Sequence, residues 1–248
     1  MNMLSVVIIT KNEENNIVDC IQSVTFASEI IVVDDNSDDA TVDLARKHGA
    51  QVVSYIGDDD FSKKRNVGLQ KTKGKWVLFI DADERVSSAL KEEIQRVITQ
   101  DRYDGFFLRR QDHLWGKALH YGETAQVLLL RLAKKTAGEW HGTVHETWKV
   151  TGKTSILTRT LDHYPHQTLT EFLREINHYT DLRAEELFSQ KVPVYWWDML
   201  VYPNAKFILN YGIRLGFLDG VPGLILAILM SFHSFLVRSK LWWLWQKK

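Results

Sequence analysis

The 248 residues suit one large domain or a domain with an appendage, and 45% hydrophobic and 25% charged residues are ordinary for a folded core. Lysine plus arginine equals aspartate plus glutamate, 31 each, so no global charge points to nucleic acid as a partner. Cys20 is the only cysteine, which excludes a disulfide framework or a cysteine zinc cluster and fits a reducing compartment. The start, Met1 to Ser5, carries no positive segment ahead of its apolar run and is not expected to act as a signal peptide.

Leu4 to Thr10 is a continuous apolar run, predicted as a buried strand that ends in Thr10-Lys-Asn-Glu13. Ile17, Cys20, Ile21 and Val24 recur at helical spacing within 16–24. Glu29 to Val33 is a second strand, ending at Asp34-Asp-Asn-Ser-Asp-Asp39. A helix over 40–48 follows, with Gly49 at its C-terminal end, and then a short strand over 51–54. Phe61 to Lys71 reads as a basic helix or turn. Trp76 to Ile80 is a third long apolar strand, stopping abruptly at Asp81-Ala-Asp83. A serine-capped helix is expected over 87–99, with Leu90, Ile94, Val97 and Ile98 on one face. The alternation predicts an α/β fold with a mainly parallel sheet covered on both faces and right-handed crossovers. Polar clusters at the carboxyl ends of three strands mark the edge where open α/β sheets bind ligands. Asp81-x-Asp83 is either a solvated acidic turn or a pair of hard oxygen donors for a divalent cation bridging to a pyrophosphate.

Val7-Ile-Ile-Thr-Lys-Asn-Glu13, Ile31-Val-Val-Asp-Asp-Asn-Ser-Asp-Asp-Ala-Thr41, Lys64-Arg-Asn-Val-Gly68 and Phe79-Ile-Asp-Ala-Asp-Glu84 resemble the inverting glycosyltransferases of family 2. The resemblance covers roughly the first half of the chain, and the motifs stand in the family's order. It implies a GT-A, Rossmann-like fold and a nucleotide-sugar donor. Leu130-Arg-Leu132 followed by Glu139-Trp-His-Gly-Thr-Val-His-Glu146 resembles the subgroup of lipopolysaccharide core β-1,4-glucosyltransferases. That implies UDP-glucose as donor and inner-core heptose as acceptor. Thr124-Ala-Gln126 stands where members often place a Pro-Asp or similar pair.

By this resemblance Thr10, Asn12, Glu13, Asp34, Asp35, Arg65, Asn66, Asp81 and Ala82 form the nucleotide-sugar site. Asp35 would accept a hydrogen bond from the uracil imide, and the other reading of Asp34 and Asp35 is an N-cap or turn for the helix starting near Asp38. Glu13 is also readable as a first-turn helix acid. Lys63, Lys64 and Arg65 offer cations to the diphosphate, Arg65 foremost and Lys63 as a solvated residue. Asp83 would ligate Mg²⁺ or Mn²⁺, which stabilises the departing nucleoside diphosphate. Inversion needs a base opposite the leaving group. Glu146 is the first candidate, with His145 orienting acceptor or phosphate, and Asp112 the second. Asp112, Arg131 and His141 would contact the acceptor, and Arg131 is also readable as a partner of Glu146.

Thr168-Leu-Thr-Glu171 is a capping box opening a helix to about Gln190, and His163 and His166 before it read as loop residues. Val221 to Val237 carries no formal charge and leads into Arg238-Ser-Lys-Leu-Trp-Trp-Leu-Trp-Gln-Lys-Lys248. Pro222, Gly223, Ser231, His233 and Ser234 weigh against a span, and tryptophans beside lysines mark a headgroup-level anchor. The expected organisation is a nucleotide-sugar-binding half over 1–110, an acceptor half over 111–166 and a helical, membrane-surface region over 167–248. The expected protein is a hexosyltransferase, peripheral to the cytoplasmic face of the inner membrane, with a lipid-linked glycan acceptor. Its rivals are a polyprenyl-phosphate glycosyltransferase, a protein glycosyltransferase and an idle nucleotide-sugar-binding scaffold.

Overall fold

The computed structural model describes residues 3–57, 60–142, 146–165 and 168–247. In chain order its elements are β1 (Leu4–Thr10), α1 (Ile17–Ser23), β2 (Glu29–Asp34), α2 (Thr41–Lys47), β3 (Gln51–Ser54), α3 (Phe61–Lys71), β4 (Trp76–Asp81), β5 (Glu84–Arg85) and α4 (Ser88–Gln100). Then come β6 (Gly105–Leu114), β7 (Lys117–Ala118), β8 (Leu128–Lys134), β9 (Gly138–His141), β10 (Thr147–Val150), β11 (Thr154–His163), α5 (Leu169–Ser189), α6 (Asp198–Phe207) and α7 (Gly220–Gln246). The chain forms two compact units, one of Met1–Arg110 with Val127–His163, the other of Gln111–Gln126 with Tyr164–Lys248.

In the first unit the strand order is β3-β2-β1-β4-β8-β6-β11-β5. The β3-β2-β1-β4 half is parallel, and β8 reverses against β4. This is the Rossmann-like α/β fold that the alternating pattern predicts. Because side chains alternate across a strand, β1 feeds two cores. Val6 and Ile8 join Ile17, Ile21, Leu90 and Ile94 beneath α1 and α4. Val7 and Ile9 point the other way, to Leu69 of α3 and to Trp140 and Trp148 of the β9–β10 hairpin. Gly68 lies where α3 crosses the sheet, and a Cβ there would run into Val7 and Val33. Asp60 caps α3 by accepting from the Ser62 and Lys63 N–H groups at 3.0 and 3.2 Å, and Ser87 caps α4 by accepting from the Leu90 N–H at 3.2 Å.

The helices of the second unit pack on apolar stripes. Phe172 and Ile176 near the start of α5 meet Leu226 of α7, and Ala184 and Leu187 near its end meet Val237 and Leu241. The two helices therefore lie side by side, in the same direction, over most of α5. The capping box at Thr168 and Glu171 is formed in both directions. The outer face of α5 exposes the charges of Glu171, Arg174, Asp181 and Glu185 beside Leu173, Tyr179 and Leu182. Asp219, buried at the start of α7, accepts from the backbone N–H groups of His120 and Tyr121 at 3.1 and 2.9 Å. Gly216–Gln246 is long and apolar enough to cross a membrane, at a mean hydropathy of 1.9 in its most apolar window. Pro222 falls in the first turn of α7, where its missing N–H costs nothing, and the helix runs on to Gln246. Trp196, Leu200, Val201, Ile208, Phe217 and Leu218 are exposed in the same unit.

Candidate active site

The register of the parallel strands assembles the site. Thr10 pairs with Asp34 across β1 and β2, and Ile9 pairs with Asp81 across β1 and β4. Three polar strand ends thus stand side by side on one edge of the sheet, the edge where an open α/β sheet binds ligands.

The β1 and β2 loops are sewn together. Asn12, in the left-handed region at φ 54°, donates its N–H to Ser37 Oγ at 2.9 Å and accepts from the Asp38 N–H at 2.9 Å. Asp34 is buried and spends both oxygens on Ser37, accepting from its N–H at 3.1 Å and its hydroxyl at 2.5 Å. Asp35 accepts from Lys64 Nζ at 2.6 Å and lies 3.5 Å from Lys11 Nζ. Lys64 is buried, and its ammonium also sits over the Phe61 ring at 4.7 Å. Glu13 donates its N–H to Thr41 Oγ1 at 2.8 Å, while its carboxylate accepts from Asn16 at 2.8 Å. Burial, reinforced by the charge of Asp83 and opposed by the Asn16 bond, pushes the Glu13 carboxyl up to about 7.

The centre of the site is Asp81. Arg65 Nη2 donates to its Oδ1 at 2.9 Å, and Arg131 Nη2 donates to its Oδ2 at 2.7 Å. Burial alone would raise this carboxyl, but the guanidiniums of Arg131 and Arg65 outweigh it and hold it well below the usual carboxylate range. Arg65 also donates from Nε to Glu146 Oε1 at 2.9 Å and lies 4.7 Å over the Trp140 ring. A single buried arginine therefore bridges the strand-end acid and Glu146. Glu84 is fully buried, accepts the Asp81 N–H through Oε2 at 2.9 Å, and lies 3.7 Å from Arg131. Burial and then the charge of Asp81 raise its carboxyl, against the pull of Arg131. Among the described residues Thr10 Oγ1, Arg65 Nη1, Arg131 Nε and Nη1 and Glu84 Oε1 are buried without a hydrogen-bond partner. Such atoms are costly unless a ligand, ion or water completes them.

Asp83 is partly buried, and its Oδ2 lies 3.1 Å from His163 Nε2. His163 is the last residue of β11, held there by pairing with Glu84 of β5, so it is not the loop residue the sequence predicts. Among the described residues no three histidine, cysteine or acidic side chains converge as a metal cage. The Asp83 carboxylate nevertheless suits Mg²⁺ or Mn²⁺, oxygen-seeking ions of which Mg²⁺ commonly takes one or two protein carboxylates and completes its shell with water and phosphate, and His163 adds a nitrogen donor beside it.

The other predicted site residues have these surroundings. Asn66 spends its amide on the Trp140 backbone, donating to the carbonyl and accepting from the N–H, both at 2.9 Å. Ala82 is buried, donates to the Ile9 carbonyl at 3.1 Å and accepts from Arg85 at 2.8 Å. His141 is exposed at the end of β9, opposite Thr147. Asp112 is buried in the second unit. Arg131 takes Asp81 and Glu84 as partners, and the pairing to Glu146 comes from Arg65. Lys63 is solvated, 3.7 Å from Asp60. His145 and His166 lie outside the described residues.

Known proteins carry the same pattern. The family model described as Glycosyl transferase family 2 matches residues 5–162. An uncharacterised glycosyltransferase of Rickettsia prowazekii (strain Madrid E) is 29% identical over 260 residues, spanning 97% of this chain and 87% of the relative. The lipopolysaccharide core biosynthesis glycosyltransferase LpsC of Rhizobium meliloti (strain 1021) is 25% identical over 251 residues, spanning 96% of this chain and 92% of the relative. The crystal structure of S. aureus TarS 1–349 in complex with UDP-GlcNAc superposes with a TM-score of 0.53 at 15% identity, covering 99% of this chain and 92% of that one. That likeness speaks to the fold, which is the GT-A form of the Rossmann-like sheet.

Proposed function

Since the chain belongs to glycosyl transferase family 2, we propose that it is an inverting hexosyltransferase that moves glucose from UDP-glucose to a membrane-anchored acceptor, the inner-core heptose of lipopolysaccharide. The observation that carries the donor half is the in-register row Thr10, Asp34 and Asp81, with two buried arginines behind it. Asp35, fixed by Lys64, keeps one oxygen for the N–H of a uracil. Asp83 and His163 would hold Mg²⁺ or Mn²⁺, whose chemistry is to neutralise the charge gathering on the leaving diphosphate. Arg65 and Arg131 present their unpartnered N–H groups to anionic oxygen, which suits a pyrophosphate. Asp81 holds both guanidiniums in place and contacts the ribose or the metal shell.

Glu146 is the base. Arg65 fixes its Oε1, leaving Oε2 for the acceptor hydroxyl, whose proton it takes as that oxygen attacks the anomeric carbon. The product is β-linked. His145 and His141 are assigned to the acceptor. The similarity to LpsC supports a lipopolysaccharide acceptor.

We place the enzyme on the cytoplasmic surface of the inner membrane. The observation that favours a surface over a span is α5. It lies along α7 from Phe172–Leu226 to Leu187–Leu241 and exposes Glu171, Arg174, Asp181 and Glu185 on its other side. A spanning α7 would drag those charges into hydrocarbon.

The test is nucleotide release from UDP-, GDP- and ADP-sugars with Mg²⁺ or Mn²⁺, with and without heptose-terminated core lipopolysaccharide. Acceptor-stimulated UDP release from UDP-glucose is expected. Slow release indifferent to the core would redirect the acceptor to polyprenyl phosphates or peptides. Bound UDP with no turnover on any acceptor would leave a scaffold.

A further inference from the structure

A second concavity lies wholly within the helical unit. Arg183, Leu187, Tyr202, Ala205, Lys206, Leu209, His233, Ser234, Val237 and Arg238 line a cleft of about 380 Å³ among α5, α6 and α7. That volume is in the range of small-ligand sites, ~300–1,000 Å³. Its lining contains three cations and no carboxylate. Two of the cations are neutralised from outside, Arg183 by Glu186 at 2.5 Å and Lys206 by Glu123 at 2.5 Å. Arg238 is different. Its guanidinium rests 4.0 Å over the Tyr202 ring, and its Nε is buried without a hydrogen-bond partner among the described residues. A stacked guanidinium with no counter-anion asks for one.

The rest of the lining decides what kind of anion. Beside Tyr202, His233 and Ser234 the cleft is walled by Leu187, Leu209 and Val237, apolar side chains that offer no hydrogen bond. They do suit methylenes. The same α6 exposes Leu200 and Val201, so apolar surface adjoins the cleft. We propose that this cleft binds the phosphate of an anionic lipid, with Arg238 as its principal cation and Leu187, Leu209 and Val237 against the first carbons of the tail. The site stands apart from glycosyl transfer and does not depend on the donor or acceptor assigned above. It would fix the protein at a particular lipid, where scattered surface tryptophans would hold it at any bilayer.

The test uses the full chain in neutral detergent, titrated calorimetrically with dihexanoyl phosphatidic acid, dihexanoyl phosphatidylcholine and inorganic phosphate. Saturable binding of the phosphatidic acid at one per chain is expected. Arg238→Gln should weaken it at least about tenfold, the scale for removing one partner of a desolvated charge pair. Arg238→Lys, which keeps the charge and most of the stem, should retain most of the binding and guards against a glutamine variant that melts early. Ala205→Phe fills the cleft without touching a charge and should abolish binding. Lys247→Gln, at the far end of α7, should leave it unchanged. Inorganic phosphate binding as tightly as the lipid would reduce the cleft to a bare anion site and overturn the proposal. Equal affinity for phosphatidylcholine, or wild-type binding by Arg238→Gln or Ala205→Phe, would overturn it as well.

Discussion

Replacing Arg65 by methionine tests the bridge between Asp81 and Glu146. The change removes charge-assisted hydrogen bonds of 2.9 Å to each acid and the contact with the Trp140 ring at 4.7 Å. Such bonds contribute ~1.5–3 kcal/mol each, and the ring contact adds ~0.5–2 kcal/mol. Against this, methionine escapes the cost of burying a guanidinium. Arg131 also still holds Asp81 at 2.7 Å, so that carboxylate is not stranded. The net loss should sit at the low end of the ~3–5 kcal/mol that breaking a buried pair costs. At ~2–4 °C per kcal/mol for a chain of this size, Tm should fall by roughly 6–12 °C at pH 7 in calorimetry. The pH dependence has a definite sign. A carboxyl held low in the folded state adds stability above its unfolded value of ~3.9, and that stability is lost as pH falls through the folded value. Asp81 is held less firmly in Arg65→Met, so the gap between variant and wild type should be widest near neutrality and should close below about pH 4. A shift under ~3 °C at pH 7, or a gap that widens in acid, would refute the bridge as a stabilising element.

Glu146→Gln should lower kcat by ~10²-fold or more while UDP affinity stays within a factor of about two; near-normal turnover would remove Glu146 as base and favour a phosphate acceptor. Asp83→Asn and His163→Gln should each weaken Mn²⁺ binding, read by paramagnetic relaxation, and activity that persists in chelator would dismiss the metal altogether. The Glu13 carboxyl, raised to about 7, makes ionisation costly in the folded state, so stability should fall as pH climbs from the ordinary carboxylate range through about 7. Glu13→Gln should then melt with wild type at pH 4.5 and above it at pH 8, and coincident curves at both would contradict the burial argument. Trp196→Ser combined with Leu200→Ser strips two exposed apolar side chains and should cut partition onto anionic vesicles by at least about tenfold, at ~1.5–3 kcal/mol per buried side chain.

The first half of the fold was legible because its strands are uninterrupted apolar runs and α1 and α4 each carry one apolar stripe. Leu4 to Thr10 and Trp76 to Ile80 admit little else, and the acids that follow them announce the sheet edge. The hidden parts share a cause: groups that are polar by type yet buried by position. Lys64 and Arg65 lie on the inward side of α3, where their partners Asp35, Asp81 and Glu146 come from other stretches of chain. A basic helix gives no local sign of that. His163 was concealed by proximity to the capping box at Thr168, although Leu157, Leu161 and His163 do alternate as a half-buried strand. Trp140 and Trp148 meet only once β9 and β10 pair, with ring centroids 5.5 Å apart. The lipid cleft depends on α6 meeting α5 and α7, which no periodicity encodes.

Gly68 connects the hydrophobic interior to the chemistry of the site. It is one turn of helix downstream of Lys64 and Arg65 and presses against Val7 and Val33 in the sheet. The helix behaves as a stylus resting on that contact, with the charged tip one turn away. A single added methyl group would force either those valines or the helix carrying both cations to shift, without altering any polar atom. Variation in how related chains hold these two cations can therefore originate at an apolar position, and searches confined to charged residues would overlook it.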